Sequence, residues 1–155
     1  MYALPRVASE VRKRFDYIFG DPIPGLPRIQ LKPIDVGVDL HFGDLSIQSV
    51  GIMHGRLPIV GFRVGDLAYL TDVKTVTRVE MKKLEGLKYL IVNALHHEQH
   101  PTHMNLEEAL DFVGLLSPRH TWLTHISHRM GLAANISATL PPNVSLAYDG
   151  LEIAF

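Results

Sequence analysis

Residues 89–116 read YLIVNALHHEQHPTHMNLEEALDFVGLL, and this stretch decides the class of fold. Its first part, 89–92, is apolar without interruption, which is typical of a strand buried on both faces of a sheet. Asn105 is suited to cap a helix that runs to the end of the stretch, with Glu108 at the third helical position. A short strand is predicted next, at 121–124. Because strand, helix and strand alternate, the sequence predicts an α/β layered domain.

The rest of the sequence adds strands before this stretch and mixed elements after it. Residues 58–64 and 67–71 flank a Gly-Asp pair, which is typical of a hairpin turn. A capping-box spacing that starts at Thr77 predicts a short helix at 77–84. The remaining predictions are a helix at 7–19, a loop at 20–27, strands at 29–34, 36–42 and 45–53, a helix at 131–140, and a closing hairpin of 145–148 with 151–155.

The composition limits the kinds of protein that this chain is expected to be. With 155 residues and 46% hydrophobic content, the chain is expected to form one folded domain with a sizeable core. The net charge is −1 and the basic residues are scattered, so a nucleic-acid partner is not expected. No apolar run reaches the roughly 20 residues of a membrane span, and the first residues lack the apolar core of a secretory signal. A cytoplasmic protein without a membrane partner is therefore predicted.

Histidine is the unusual feature of the composition. The chain has nine His residues, seven of them between His96 and His128, and no cysteine, so His and carboxylate groups are the available metal ligands. His54, Asp72 and His125 each stand where a predicted strand ends. Ligands of α/β proteins gather outside the carboxyl ends of strands, so these side chains are expected to lie close together. One such residue alone is more often a cap or a hydrogen-bonding group, whereas the set indicates a metal-dependent hydrolase.

Four short segments carry a family resemblance. They are MHGRLP at 53–58, TDV at 71–73, HPTH at 100–103 and LTHISH at 123–128. In this order they resemble the C-terminal half of the metallo-β-lactamase superfamily, and within it the phosphoribosyl cyclic phosphodiesterases of the phosphonate-degradation type. The resemblance implies an α/β fold that is the C-terminal half of an αββα sandwich, with residues 1–155 as a single partial domain.

The resemblance also implies roles for particular side chains. His54 would bind a first metal ion, Asp72 would bridge two ions, and His125 would bind the second. His103 would contact the phosphate without binding metal and would protonate the leaving oxygen. The divalent ions implied are zinc or manganese. These roles agree with general chemistry, because two such ions can generate hydroxide near neutral pH and clamp phosphate oxygens, and a histidine can deliver a proton.

Other histidines and one arginine are candidates for the surroundings of this site. His100 is predicted to contact the substrate, in a loop with His96 and His97 that shapes the pocket. Arg56 is a candidate phosphate contact because a guanidinium matches that geometry, and plain surface solvation is the alternative left open. In the phosphodiesterase relatives, the position of His128 joins cysteines in a structural zinc site, and this chain has no cysteine. His128 is therefore predicted to form hydrogen bonds or to line the site.

One signature of the family, His-x-His-x-Asp-His, is not found in residues 1–155. In the family it supplies further metal ligands, so this chain is expected to be inactive alone and to rely on self-association or on complementation by another chain. The leading hypothesis is part of a two-metal phosphodiesterase that acts on a small, cyclic or related, phosphate ester. A tRNA 3′-processing endonuclease and a non-catalytic assembly or binding remnant are the alternatives.

Overall fold

The computed structural model describes residues 1–21 and 23–155, which divide into two units. The first unit, Met1–Val38, contains a small parallel strand pair and two helices: β1 (Tyr2–Ala3), α1 (Pro5–Arg14), α2 (Asp16–Phe19) and β2 (Lys32–Pro33). Pro5 opens α1, where its fixed φ suits the first turn and its missing N–H is not needed.

Two of the elements predicted for this unit differ from the observed ones, and a third extends beyond the described residues. The predicted helix at 7–19 is interrupted at Phe15, whose φ of −122° and ψ of 40° are not helical, so α1 and α2 are separate helices. The predicted loop at 20–27 includes Pro22, which lies outside the described residues. The strand predicted at 29–34 is shorter than expected and is reduced to β2.

The second unit, Asp39–Phe155, is built around one mixed sheet. Its strands are β3 (Leu40–Phe42), β4 (Leu45–His54), β5 (Leu57–Val64), β6 (Leu67–Leu70), β7 (Thr75–Val76), β8 (Tyr89–Asn93), β9 (His120–Thr124) and β10 (Val144–Leu146). Across the sheet the order is β10-β9-β8-β6-β5-β4-β3, with β7 paired to the end of β4. β6, β8, β9 and β10 are parallel neighbours, whereas β3, β4, β5 and β6 are joined by antiparallel pairings.

Short helices connect the later strands. They are α3 (Arg78–Met81), which continues into a 3₁₀ turn (Lys82–Leu84), then α4 (Leu106–Leu116), a second 3₁₀ turn (His128–Met130) and α5 (Ala133–Ser137). The predicted caps are present: the Thr77 side chain accepts from the Glu80 N–H, and Asn105 and Glu108 form a reciprocal capping box at α4. None of the helices within 1–21 and 23–155 has the length and apolar character needed to cross a membrane. The cytoplasmic location stays a prediction.

Strand and helix side chains together form the core. Leu90 and Val92 of β8 are fully buried, whereas Tyr89 and Ile91 on the other face of that strand are only half-buried. The apolar run predicted a strand buried on both faces, whereas β8 is fully buried on one face and half-buried on the other. The core cluster also includes Ile52, Leu70, Leu84, Ala109, Phe112, Val113 and Leu123.

The predicted closing hairpin is wrong. The turn at Asp149-Gly150 does form, because the Leu151 N–H donates to Tyr148 O over 3.1 Å. The strand before it, however, pairs in parallel with β9, and residues 151–155 form no strand in the described chain. Local turn chemistry favours a reversal, but the open edge of β9 supplies the hydrogen-bond partners that β10 needs. The strand at 36–42 and the helix at 131–140 are likewise shortened, to β3 and α5.

The direction of the strands places several loops at one edge of the sheet. β4 is antiparallel to β5, and β5 is antiparallel to β6, so β4 points the same way as β6. β8 and β9 continue in that direction, since both belong to the parallel part. The carboxyl ends of β4, β6, β8 and β9 therefore lie along a common edge, where ligands of α/β proteins bind. The predicted α/β class is confirmed.

Candidate metal centre and active site

Side chains that the sequence singled out converge at this carboxyl edge. His54 is the last residue of β4, and Asp72 follows β6 after a single intervening residue. His125 directly follows β9, and His103 lies in the loop from β8 to α4. Residues that are far apart in sequence thus meet because β4, β6, β8 and β9 all end at the same edge of the sheet.

The polar atoms of Asp72, His103 and His125 lie within hydrogen-bonding distance of one another. His103 Nε2 is 3.1 Å from Asp72 Oδ1 and 3.1 Å from His125 Nε2. His125 Nε2 is 3.4 Å from the same Asp72 oxygen, so the three atoms form a small triangle. The His54 ring packs edge-on against His103 with ring centroids 4.5 Å apart. Ligand atoms of His54, Asp72 and His103 all lie within 4.8 Å of one another.

The backbone is strained at two members of the cluster. Asp72 has a φ of 62° and His125 a φ of 54°, both in the left-handed region that residues other than glycine seldom adopt. Such a conformation costs on the order of 1–3 kcal/mol and is found most often at functional sites. Ser117 is the other non-glycine residue of this kind in the described chain, and it is explained as the C-cap of α4. The strain at Asp72 and His125 has no such helix-ending role.

The protonation states suit cation binding. Burial raises the pKa of Asp72, but the hydrogen bond from His103 and the charge of His125 act in the opposite direction, and the net pKa is lower than usual. Burial lowers the pKa of His103, with a further decrease from His54 and His125 that the hydrogen bond to Asp72 only partly offsets. At neutral pH Asp72 is therefore a carboxylate, the form in which it binds metal ions, and the His103 ring beside it is neutral.

A buried nitrogen provides a test of whether a metal ion fits. His54 Nε2 is buried and has no hydrogen-bond partner among the described residues. An unsatisfied buried polar group of this kind costs about 1–3 kcal/mol. A divalent cation near Asp72 would supply the missing partner and would relieve the crowding of Asp72, His103 and His125. The residues fit such an ion, with zinc needing about four ligands in all.

The loop before α4 holds His103 from its other side. Thr102 Oγ1 lies 2.9 Å from His103 Nδ1, and His100 Nδ1 lies 3.1 Å from the same atom. Because His103 Nε2 donates to the Asp72 carboxylate, Nδ1 of the neutral ring is the acceptor and the Thr102 hydroxyl is the donor. His100, predicted as a substrate contact, is thus placed behind His103 and in contact with it.

The structure also defines the surroundings of the remaining predicted residues. Arg56 is exposed in the turn between β4 and β5. His96 is buried, with Nδ1 3.1 Å from Glu98 Oε2, and His97 Nε2 lies 3.1 Å from Met130 O. His128 is exposed in the second 3₁₀ turn. The roles predicted for Arg56, His100 and His128 stay predictions.

Sequence reasoning missed two residues that support the site. Asn93, at the end of β8, is fully buried and its side chain accepts from the Val73 N–H over 2.7 Å. Thr102 contacts both His100 and His103 through its hydroxyl. A polar residue directly after the apolar run 89–92 was the available signal for Asn93. For Thr102 the only signal was its position between two histidines of the HPTH segment.

A family profile and a solved structure each match most of the chain. The profile of the family described as "Beta-lactamase superfamily domain" matches residues 1–126. The chain is similar to the crystal structure of a diphosphatase from the PhnP family, with 31% identity and a TM-score of 0.88. That match covers 97% of this chain and 55% of the diphosphatase. The predicted metallo-β-lactamase type of α/β fold is thereby confirmed.

Two other similarities differ in what they support. An octanoyltransferase of Porphyromonas gingivalis (strain ATCC BAA-308 / W83) is 35% identical over 154 residues, which are 98% of this chain but 31% of that protein. The human tRNase Z, short form, is 17% identical with a TM-score of 0.69, over 99% of this chain and 66% of that one, and shows the fold alone. The chain thus spans about half of the diphosphatase and under a third of the octanoyltransferase.

Proposed function

The chain belongs to the β-lactamase superfamily, whose fold is that of metal-dependent hydrolases, and we propose that it forms part of a hydrolase that cleaves a P–O bond in a small phosphate ester or diphosphate. The observation that carries this proposal is the convergence of His54, Asp72, His103 and His125 at one edge of the sheet. The solved relative that shares 31% identity is a diphosphatase, and diphosphates and cyclic phosphodiesters present the same phosphorus–oxygen chemistry.

In this proposal, His54, Asp72 and His125 hold divalent cations, with zinc or manganese as the expected ions. When bound, such ions supply Lewis-acid activation of water and neutralise charge on the phosphate oxygens. Asp72 suits two ions because it is ionised and has two oxygens. His54 suits an ion because its Nε2 is buried and unsatisfied.

His103 is proposed as the proton donor to the leaving oxygen. Its Nε2 carries a proton that points at Asp72, and its Nδ1 accepts from the Thr102 hydroxyl, so the ring has a defined orientation and tautomer. To act as the donor, the neutral ring first takes up a proton at Nδ1 from solvent; because burial lowers the pKa of His103, the cation then gives its Nε2 proton to the leaving oxygen more readily than an exposed histidine would. A group that gives up its proton readily near neutral pH is what protonation of a leaving oxygen needs.

We further propose that the rest of the site comes from outside residues 1–155, either from the same polypeptide or from a second one. The group His54, Asp72 and His125 supplies too few ligands for two ions, since zinc alone takes about four. The PhnP-family diphosphatase has a part that this chain does not match, and that part is the expected source of the complement.

The isolated chain is proposed to be inactive and to self-associate. Among the described residues β3 is the last strand of the sheet on this side, and Leu45 beside the β3–β4 turn is exposed. An apolar sheet edge of this kind favours pairing with another chain. Sedimentation velocity tests the point: a concentration-dependent increase in mass is expected, and a monomer at all concentrations would contradict it.

Hydrolysis by the complemented chain tests the proposal. The chain is combined with the unmatched segment of the diphosphatase, and release of phosphate from a ribose cyclic phosphodiester and from a nucleoside diphosphate is measured with zinc or manganese. Asp72→Asn is expected to abolish turnover. Asp66→Asn is the matched control, because Asp66 is similarly exposed (44% against 40%) but pairs with Lys88 at the opposite end of β6. Full activity of Asp72→Asn would contradict the proposal.

A second candidate function follows from a pocket at the ends of β9 and β10. An apolar pocket of about 380 Å³ lies at the ends of β9 and β10, lined by Ile126, Met130, Ile136, Leu146 and Tyr148. Its size is within the range of roughly 300–1,000 Å³ that small-molecule sites have. The relative from P. gingivalis is an octanoyltransferase, and an octanoyl chain suits an apolar pocket of this kind, whose lining residue Ile126 follows His125 in the sequence. Hydrolysis of an octanoyl thioester, compared with the phosphate substrates in the same assay, separates the two candidates.

A further inference from the structure

The Asn93 side chain joins two of the loops that form the cluster. Its Oδ1 accepts from the Val73 N–H over 2.7 Å, and its Nδ2 donates to Met104 O over 3.5 Å. The ring is closed by the backbone, because the Met104 N–H donates to Val73 O over 2.9 Å. Val73 directly follows Asp72, and Met104 directly follows His103. One buried amide therefore bridges the segment of Asp72 and the segment of His103, whose side chains lie 3.1 Å apart.

These bonds belong to a longer series of hydrogen bonds that also connects the residues next to His54 and His125. The Lys74 N–H donates to Met53 O over 2.7 Å, and Met53 precedes His54. On the other side, the Ala94 N–H donates to Thr124 O over 3.0 Å, and Thr124 precedes His125. Backbone groups alone form these outer links, whereas the central link combines the backbone bond from Met104 to Val73 with the two side-chain bonds of Asn93.

The chemistry of an amide explains why this position holds asparagine. Asn93 has no exposed surface and follows an apolar run, so an apolar residue would bury more favourably unless the polar groups are used. Val73 is fully buried, so its N–H needs an acceptor, while Met104 O can take a second donor besides the Leu95 N–H. Asparagine offers both on one short side chain, which neither an apolar nor a hydroxyl residue does at that reach.

We propose that Asn93 is a positioning residue that fixes the Asp72 and His103 segments relative to each other and so pre-organises the cation site. The ion-binding half of this proposal rests on the proposed function, whereas the positioning half concerns the loops alone. Groups behind metal ligands commonly change ion affinity by about 10–100-fold when they are removed, because the ligands lose their fixed geometry. Asn93 acts through the backbone next to the ligands and touches no substrate.

Amide hydrogen exchange and zinc affinity, both measured on the chain itself, test the proposal. Asn93→Ala removes both side-chain bonds without overfilling the core, and Asn93→Asp keeps an oxygen that can accept from Val73. Leu90→Ala is the matched control, because Leu90 lies in the same strand and is fully buried but takes no part in the bridge. Asn93→Ala is expected to speed exchange of the Val73 amide far more than that of the β8 core amides, and to weaken zinc binding by about 10–100-fold.

The control and the conservative variant separate positioning from general stability. Leu90→Ala should speed exchange throughout the core alike and leave zinc affinity within about twofold of the original, because the ligand loops are untouched. Asn93→Asp should restore protection of the Val73 amide. Equal exchange of the Val73 amide in Asn93→Ala and in the unmodified chain would overturn the assignment. If the unmodified chain binds no zinc, the ion-binding half of this proposal fails, while the exchange measurement still decides whether Asn93 fixes the loops.

Discussion

Substitution of Gly55 by alanine is predicted to disturb the cluster through the loop that carries His103. Gly55 lies in the turn between β4 and β5, directly after His54, with a φ of 63°. A Cβ at this position would lie 3.0 Å from Thr102 Cγ2 and 3.1 Å from Pro101 O. The second of these is a backbone atom, so the Pro101-Thr102 segment would have to move.

The size of the effect has two parts. Alanine in the left-handed region costs about 1–2 kcal/mol. Overfilling a close contact costs about 1–3 kcal/mol more. Gly55→Ala is therefore expected to lower the free energy of unfolding by roughly 2–5 kcal/mol, the sum of these two estimates. Because Thr102 Oγ1 lies 2.9 Å from His103 Nδ1, movement of this loop should also weaken zinc binding, by about tenfold or more.

Gly65→Ala provides the matched control in the neighbouring hairpin. Gly65 has a φ of 54°, so the backbone strain is nearly the same, but no atom lies within 4 Å of a Cβ built there. Urea unfolding should show a loss of only about 1–2 kcal/mol for Gly65→Ala, with unchanged zinc affinity by calorimetric titration. If the two variants lose the same free energy and bind zinc equally well, the contact between the β4–β5 turn and Thr102 does not support the site, and the reasoning is refuted.

Three further predictions concern the same loops and the core. Burial raises the pKa of Glu108, but the bonds from Lys74 Nζ (2.6 and 2.7 Å) and the Asn105 N–H lower it to a net value below its usual 4.5. A carboxyl pKa that is lower in the folded than in the unfolded chain stabilises the fold at pH values above the unfolded pKa. The contribution of Glu108 to the free energy of unfolding should therefore be complete at neutral pH and be lost as the pH falls through the folded pKa. The urea midpoint should accordingly depend less on acid pH in Glu108→Gln than in the unmodified chain. Thr102→Val should alter the nitrogen chemical shifts of His103 Nδ1 in NMR, because the hydroxyl donor is lost, and unchanged shifts would contradict the assigned tautomer. Leu90→Ala should lower the free energy of unfolding by about 2–5 kcal/mol by opening a cavity in the core, and a loss well below this in urea unfolding would mean that β8 is not central to the core.

The positions of the cluster residues were largely predictable because strands end in a recognisable way. An apolar run followed by a polar residue marked the ends of β6 and β9, and the parallel arrangement expected of an α/β fold places such ends together. His54 needed the additional fact that β4 reaches the same edge through two antiparallel pairings. The roles of His54, Asp72, His103 and His125 depend on bound ions and on residues outside 1–155, so they stay predictions.

The features that escaped sequence reasoning are those set by contacts between distant segments. The Asp149-Gly150 pair correctly predicted a turn, but the hairpin around it does not form, because β10 pairs with the edge of β9 instead. In the sequence Asn93 is only the polar residue that ends a strand. Its role was missed because its bonds to Val73 and Met104 connect segments that no local sequence pattern links. The left-handed backbone of Asp72 and His125 has no sequence signal either, since neither is glycine.

Zinc binding by the chain and by its Asp72→Asn variant tests the central claim most directly. Equilibrium dialysis of the unmodified chain, of Asp72→Asn and of the control Asp66→Asn gives the affinity of each at neutral pH. The account predicts binding by the unmodified chain and by Asp66→Asn, and at least about tenfold weaker binding by Asp72→Asn, because the carboxylate that faces His103 and His125 is lost. Equal affinity in all three proteins would contradict a cation site at this edge of the sheet.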